Sequence, residues 1–199
     1  MKMWEVFQVL GILPGDRSGS KERMEATLAD RAGRERLRVV IQNQQEHFDT
    51  FGLQLGFSYA TGALVAGAPE TPTGATPGRD FVPTTRPGSR VPHAWVERAG
   101  ERLSILDLLP YDGFTVLAGP EGWAWAAAGA GIRELPIRCL IAGRDFTDPE
   151  GHWASVCEIT ADGALLVRPD QHVAWRARSA PADPAAALAS ALRTVFGLV

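Results

Sequence analysis

Four histidines and two cysteines are the obvious candidates for metal or nucleophilic chemistry in this chain. His47 and Asp49 lie in the run Glu46-His-Phe-Asp49. They are two apart, so a helix places them on different faces. Joined to His152 and Cys157 they could make up a zinc set, but none of the spacings is that of a metal site. Cys139 and Cys157 are too far apart for a C-x-x-C redox pair. They read as small buried hydrophobes. A redox role needs a low-pKa thiol near a helix start, whereas Cys139 falls in a predicted strand and Cys157 late in a predicted helix. No G-x-S-x-G elbow presents a nucleophilic serine, and Ser155 lies inside a predicted helix. Arg168 and Asp170 could form an acid–base pair. The simpler reading is that Asp170 accepts from the backbone N–H two residues on and closes a turn.

The remaining conspicuous side chains point to structure or contact. Arg86 and Arg90 flank a proline-glycine turn, where carboxylate partners could tie the chain down or an anion could sit. His93 and Trp95 open a predicted strand, with a local hydrogen bond for the first and ring burial for the second. His152 and Trp153 stand near a helix start and suit a surface or interface. Trp123, Trp125 and Phe114 form an aromatic group whose plain use is core packing or a partner surface. No residue is assigned a catalytic, cofactor-binding or metal role.

The elements that would position these residues follow from periodicity and punctuation. Trp4 to Leu13 is short and apolar, and ends in the turn-rich Pro14 to Ser20. Lys21 to Phe51 predicts helix, broken near Gly33, with Leu37, Val40, Ile41, Gln44, Phe48 and Phe51 at helical spacing and Gly52 as a C-terminal cap. Leu53 to Tyr59 alternates and predicts a short strand. Residues 61–92 are rich in proline and glycine and read as a linker. Strands are then expected at Ala94–Glu97, Gly113–Gly119 and Ile132–Ile141, with Pro136 consigning the last to an edge. Ser104–Leu109 is a turn or single helical turn. Helices are expected at Glu121–Ala130, at Asp148–Ile159 with Asp148 as cap and Pro149 in the first turn, and at Pro184–Phe196. Ala164–Arg168 and His172–Trp175 should form a terminal hairpin. This order suits an α/β fold with a thioredoxin-like C-terminal domain, a central mixed sheet flanked by helices, preceded by a helical N-terminal segment and a long linker. The expected division is 1–60 helical with a short strand, 61–92 linker, and 93–199 thioredoxin-like without C-x-x-C.

Several runs carry a family resemblance. Gln54-Leu-Gly-Phe-Ser-Tyr59, Arg86-Pro-Gly-Ser-Arg-Val-Pro-His-Ala-Trp95 and Leu165-Leu-Val-Arg-Pro-Asp-Gln-His-Val-Ala-Trp175 resemble the C-terminal part of FAD-dependent aromatic-ring hydroxylases of the phenol and polyketide group. Asp107-Leu-Leu, Gly113-Phe-Thr-Val-Leu and Asp148-Pro-Glu-Gly-His-Trp153 fall between them in the expected order. The resemblance covers roughly residues 35 to 178 and implies the family's thioredoxin-like domain, which usually lacks redox cysteines. No G-x-G-x-x-G follows a strand, so the turn that lets backbone N–H groups approach a pyrophosphate is missing. Gly129-Ala-Gly131 is no substitute, since Arg133 and Glu134 follow. The family's Gly-Asp loop near FAD is also missing.

Composition narrows the function classes. Hydrophobic residues make up 45% and charged residues 22% of 199, as in an ordered globular protein. A formal charge of -3 gives no electrostatic reason to expect nucleic acid or an anionic membrane. The longest apolar run is too short to span a bilayer and no signal peptide opens the chain, so a cytoplasmic location is expected. The leading expectation is a stand-alone accessory, structural or oligomerisation protein, not catalytic alone and without a cofactor. It would pair as a homodimer or with a separate flavoprotein. The alternatives are an FAD/NAD(P)H-dependent aromatic or polyketide hydroxylase component, and a cofactor-free protein that binds or cyclises an aromatic polyketide.

Overall fold

A computed structural model describes residues 3–15, 18–44, 50–67, 78–133 and 135–198. The chain divides into two compact units, 1–51 and 52–199.

The first unit contains α1 (Met3–Val9), α2 (Ser20–Ala29) and α3 (Arg31–Gln42). The expected break at Gly33 falls instead at Asp30. This residue is extended, caps α3, and accepts from the Gly33 N–H at 2.7 Å. Its short carboxylate satisfies an N–H that the helix leaves orphaned. Gly33 is then free to let α3 approach the Thr27 carbonyl of α2. Arg23 Nε donates to the Gly11 carbonyl at 2.7 Å, tying α2 to the end of α1. Among the described residues of this unit, no apolar side chain is buried. Phe48, predicted on the helical stripe, and the pair His47 and Asp49 lie outside the described residues.

The second unit begins near α4 (Phe51–Leu55), where a strand was expected. The Leu53-Gln-Leu alternation suggested extension, but Gly56 N–H bonds to the Gly52 carbonyl and closes a helical turn. Gly52 is therefore inside an element and not a cap. Only Ser58 keeps strand character, as a bridge to Ser89.

β1 (Trp95–Arg98) and β2 (Glu101–Ser104) form a separate antiparallel hairpin. A one-turn 3-10 helix (Ile105–Leu108) follows, closed by a capping box between Ser104 and Asp107. Then come β3 (Phe114–Ala118), α5 (Trp123–Ala130), β4 (Ile137–Ile141), α6 (His152–Val156), β5 (Ala164–Val167), β6 (Val173–Ala177) and α7 (Pro184–Val195). The main sheet runs β4-β3-β5-β6, with β3 and β4 parallel and the rest antiparallel. This is the α/β thioredoxin-like architecture, a mixed sheet flanked by helices. The strand expected over Ile132–Ile141 begins only at Ile137, so Pro136 lies just before β4, which is an edge of the sheet.

Alternation along the strands divides the core into two layers. Leu117, Leu140, Leu165, Val167 and Val173 face the hairpin, Phe146 and Trp153. Val116, Ile141, Leu166 and Ala174 face α5 and α7, meeting Trp125, Leu188 and Leu192. The helix expected from Asp148 starts later, after Gly151, and ends at Val156. Asp148 reaches over to accept from the Ala154 N–H at 2.9 Å, so its carboxylate serves the helix without being the cap residue.

Candidate functional site

The two longest signature runs lie far apart in sequence, yet the fold makes them neighbours. Gly88 N–H donates to the Val173 carbonyl at 2.7 Å, Val173 N–H returns a bond to Ser89, and Val91 N–H donates to the Gln171 carbonyl. Arg90 bridges to His172 as a ladder pair, and Val65 N–H bonds to the Ala174 carbonyl. Residues 65 and 88–91 thus cover the edge that β6 would otherwise present. Gly88 sits at φ 93°, and a Cβ there would lie 2.0 Å from the Tyr59 carbonyl. Only glycine lets the Ser58–Tyr59 backbone pack this closely.

A clasp locks the entry to this edge. Glu158 Oε2 is approached by Thr85 N–H at 2.7 Å, Thr84 Oγ1 at 2.9 Å, Thr85 Oγ1 at 3.0 Å and Arg176 Nη1 at 2.7 Å. The single Thr85 hydroxyl proton also faces the Cys157 carbonyl at 2.6 Å. Arg176 is 5% exposed in its side chain and Glu158 32%. Burial pushes the Glu158 carboxyl up, but the Thr85 and Thr84 donors and the Arg176 charge together outweigh it and hold it below the usual carboxylate range. Glu158 adopts φ 53°, a left-handed conformation uncommon for its residue type.

Beside the clasp stands an aromatic ledge. The rings of Phe57, Tyr59 and His172 lie 5.0–5.6 Å apart by centroid, and the Arg168 guanidinium lies 5.1 Å from the Tyr59 ring. Asp170 holds Arg168 through two hydrogen bonds and accepts from the His172 N–H at 3.3 Å. This is the turn-closing role expected for it. Burial raises the Asp170 pKa, but the Arg168 hydrogen bonds and charge prevail and lower it overall. The hydrogen bonds from Arg168 and from the His172 N–H hold the Asp170 carboxylate in the turn. Ser58, Tyr59, Leu64, Arg86 and Pro87 line a neighbouring cleft of about 240 Å³.

The other singled-out residues fall elsewhere. Arg86 donates to Ser58 Oγ at 2.6 Å, and Arg90 donates to the Gln171 amide oxygen rather than to the carboxylate expected. His93 bonds Ser104 Oγ at 2.8 Å, the local role foreseen. Trp95, expected to be buried, is 41% exposed on the small hairpin, between His93 and the Arg102 guanidinium. Trp153 is core and His152 exposed. Trp125 is fully buried and donates to the Asp162 carbonyl, while Trp123 is exposed beside Arg144. Burial raises the pKa of both thiols, the half-buried Cys139 and the buried Cys157. Neither stands at a helix start, where a thiol pKa would be lowered: Cys139 lies in β4 and Cys157 follows the last turn of α6. Among the described residues no group of His, Cys, Asp and Glu could hold a metal ion. Sequence reasoning missed Thr84, Thr85, Glu158 and Arg176. No local pattern marks them, because their meeting depends on long-range packing.

One strand-to-helix turn carries glycines, Gly119-Pro-Glu-Gly122 between β3 and α5, although it has two and not the three of a G-x-G-x-x-G turn. Its donors are already engaged. Gly119 N–H bonds Gly163, Glu121 N–H bonds Ala161 and Gly122 N–H bonds Gly119. The Ala161 carbonyl lies 2.3 Å from where a Gly119 Cβ would be. With these N–H groups committed and a carboxylate in the turn, the residues present do not fit a dinucleotide phosphate.

The family model "Aromatic-ring hydroxylase, C-terminal" matches residues 84–198. The chain belongs to the aromatic-ring hydroxylase family. Within that family it is 43% identical to tetracenomycin A2 monooxygenase-dioxygenase of Streptomyces glaucescens, over 71% of this chain and 25% of that protein. It is 35% identical to 2,4-dichlorophenol 6-monooxygenase of Cupriavidus pinatubonensis, over 91% of this chain and 31% of that one. Among solved structures, the flavin-dependent monooxygenase PieE in complex with FAD and substrate aligns with the whole chain and 36% of its own length, at TM-score 0.82 and 34% identity. The family chain described here therefore spans about a quarter to a third of the length of the relatives it matches, and corresponds to their C-terminal domain.

Proposed function

We propose that this chain is a non-catalytic accessory or structural component of aromatic-ring hydroxylation, working with a separate flavoprotein or as a pair of its own copies. The observation that carries this reading is the Gly119–Gly122 turn, whose backbone donors are committed to Ala161, Gly163 and Gly119 and so offer no cradle to FAD. The clasp and the covered β6 edge support a scaffold role, since they stabilise the domain without presenting a nucleophile–base pair. A cytoplasmic setting fits this reading, and no helix among the described residues is long and apolar enough to cross a membrane.

The cleft beside Tyr59 is the observation that favours a second reading, in which the chain binds an aromatic small molecule. Its Arg86 and Ser58 converge as orienting groups would. Its volume of about 240 Å³ is below the roughly 300–1,000 Å³ usual for ligand pockets, so a multi-ring polyketide does not fit whole. The accessory reading is therefore preferred. The test is absolute mass in solution together with near-ultraviolet and visible absorbance and reduced-nicotinamide oxidation after FAD is added. A colourless protein without oxidase or hydroxylase activity is expected. Flavin bands that survive gel filtration, or hydroxylation of a phenol by the chain alone, would overturn the proposal.

A further inference from the structure

The cleft beside Tyr59 is assembled from short pieces of chain, and each is pinned. Tyr59 N–H donates to the Gly88 carbonyl at 2.9 Å, and Ser58 bridges to Ser89. Val65 N–H donates to the Ala174 carbonyl of β6 at 2.8 Å, which fixes the piece around the buried Leu64. Ser89 N–H donates to the Arg86 carbonyl at 3.0 Å and closes the turn that carries Arg86 and Pro87. Walls held in this way need little rearrangement to take a ligand. A cavity on the order of 150 Å³ accommodates a benzene ring. The cleft, at about 240 Å³, therefore has room for one ring and a small substituent.

The lining divides into an apolar part and a cationic part. Ala60, Leu64, Ala66 and Pro87 supply aliphatic wall, and Tyr59 an aromatic one. Among the described residues that line the cleft, Arg86 carries the charge and none is acidic. The Arg86 guanidinium donates to Ser58 Oγ at 2.6 Å, which orients it. A guanidinium is a planar fork of N–H donors that matches a carboxylate two bonds at a time. The carboxylates that stand nearby answer to other arginines, Asp170 to Arg168 and Glu158 to Arg176. The geometry points to a site for a small monocarboxylate with one apolar ring, its carboxylate on Arg86 and its ring against Tyr59 and Leu64. This rests on the small-molecule reading of the cleft given above and names its ligand class. A neutral ring would use the walls but gain nothing from the charge of Arg86. The ligand is held there and not transformed, so the site is compatible with an accessory role.

The experiment titrates the full, isotope-labelled chain with benzoate, benzamide and phenol, and follows the backbone amide signals by NMR. Benzoate should shift the Tyr59, Ala60, Leu64 and Ala66 amides saturably, with a Kd on the order of 1 mM. Benzamide keeps the shape and loses the charge, and should bind roughly tenfold or more weakly. Arg86→Met should weaken benzoate by a similar factor, and Arg86→Lys should recover only part of the loss, because an ammonium lacks the planar fork. The comparison of benzoate with benzamide uses the unaltered chain, so it stands apart from any loosening of the turn by Arg86→Met. Benzamide or phenol binding as tightly as benzoate would overturn the carboxylate assignment and leave the small-molecule reading in place. Titrations in which none of the ligands shifts these amides would overturn both. The accessory reading fails separately, through flavin binding or turnover by the chain alone.

Discussion

Replacing Glu158 by glutamine tests whether the clasp stabilises the thioredoxin-like unit. The substitution preserves shape and an acceptor for Thr84 Oγ1 and the Thr85 N–H, but removes the charge opposite Arg176. Breaking a fully buried ion pair from one side costs about 3–5 kcal/mol, because the remaining charge is left uncompensated. Arg176 is nearly that buried, but Glu158 keeps 32% of its side-chain exposure, and solvent screens part of the attraction. The expected loss is therefore about 2–3 kcal/mol, or roughly 4–12 °C in Tm for a unit of this size. Urea unfolding of Glu158→Gln, Arg176→Met and the double variant closes a cycle, with coupling of at least about 1 kcal/mol expected. The pH dependence has a definite sign. The folded carboxyl lies below its ordinary value of 4.5, so its contribution is present above that value and disappears as pH falls through the lowered folded pKa. Wild type should lose stability over that acid window faster than Glu158→Gln. Coupling below about 0.5 kcal/mol, with identical acid limbs, would refute the reasoning.

Other substitutions probe the packing directly. A Cβ at Gly129 would lie 2.5 Å from Cys139 Sγ, so Gly129→Ala should cost about 1–3 kcal/mol in urea unfolding. Adding Cys139→Ala should recover most of it, and simple additivity would show that the clash is elsewhere. Trp125→Phe removes a fully buried indole and its 2.7 Å bond to the Asp162 carbonyl, with an expected loss of about 2–3 kcal/mol. A loss well under 1 kcal/mol would mean that the loop opposite α5 is held some other way. Because burial raises both thiols, native alkylation near neutral pH should be slow at Cys139 and slower at Cys157. Fast labelling of either would revive a redox role.

Much of the fold was legible in local pattern. Apolar runs bounded by glycine located β3, and the helix expected at Pro184–Phe196 is α7, at whose start Asp183 accepts from the Ala186 N–H. The signature runs around Arg86 and Arg168 identified the family before any geometry. Where reading failed, the deciding partner was distant. Glu101-Arg-Leu-Ser104 has no strand-like alternation and is a strand because β1 lies beside it. Leu53–Tyr59 alternates and is still helical at its start, where Gly52 and Leu53 donate to Arg79 and Gly78.

Residue types and spacing thus determined the thioredoxin-like order of elements, the lack of a metal motif or dinucleotide fingerprint, and the membership of the hydroxylase family, because each is written in short stretches of chain. Tertiary structure alone decided that Gly88–Val91 zips onto Gln171–Val173 and that Glu158 gathers Thr84, Thr85 and Arg176. Those outcomes depend on which surfaces meet after the chain closes long loops, and a hydrogen bond or buried face acquires its partner only there.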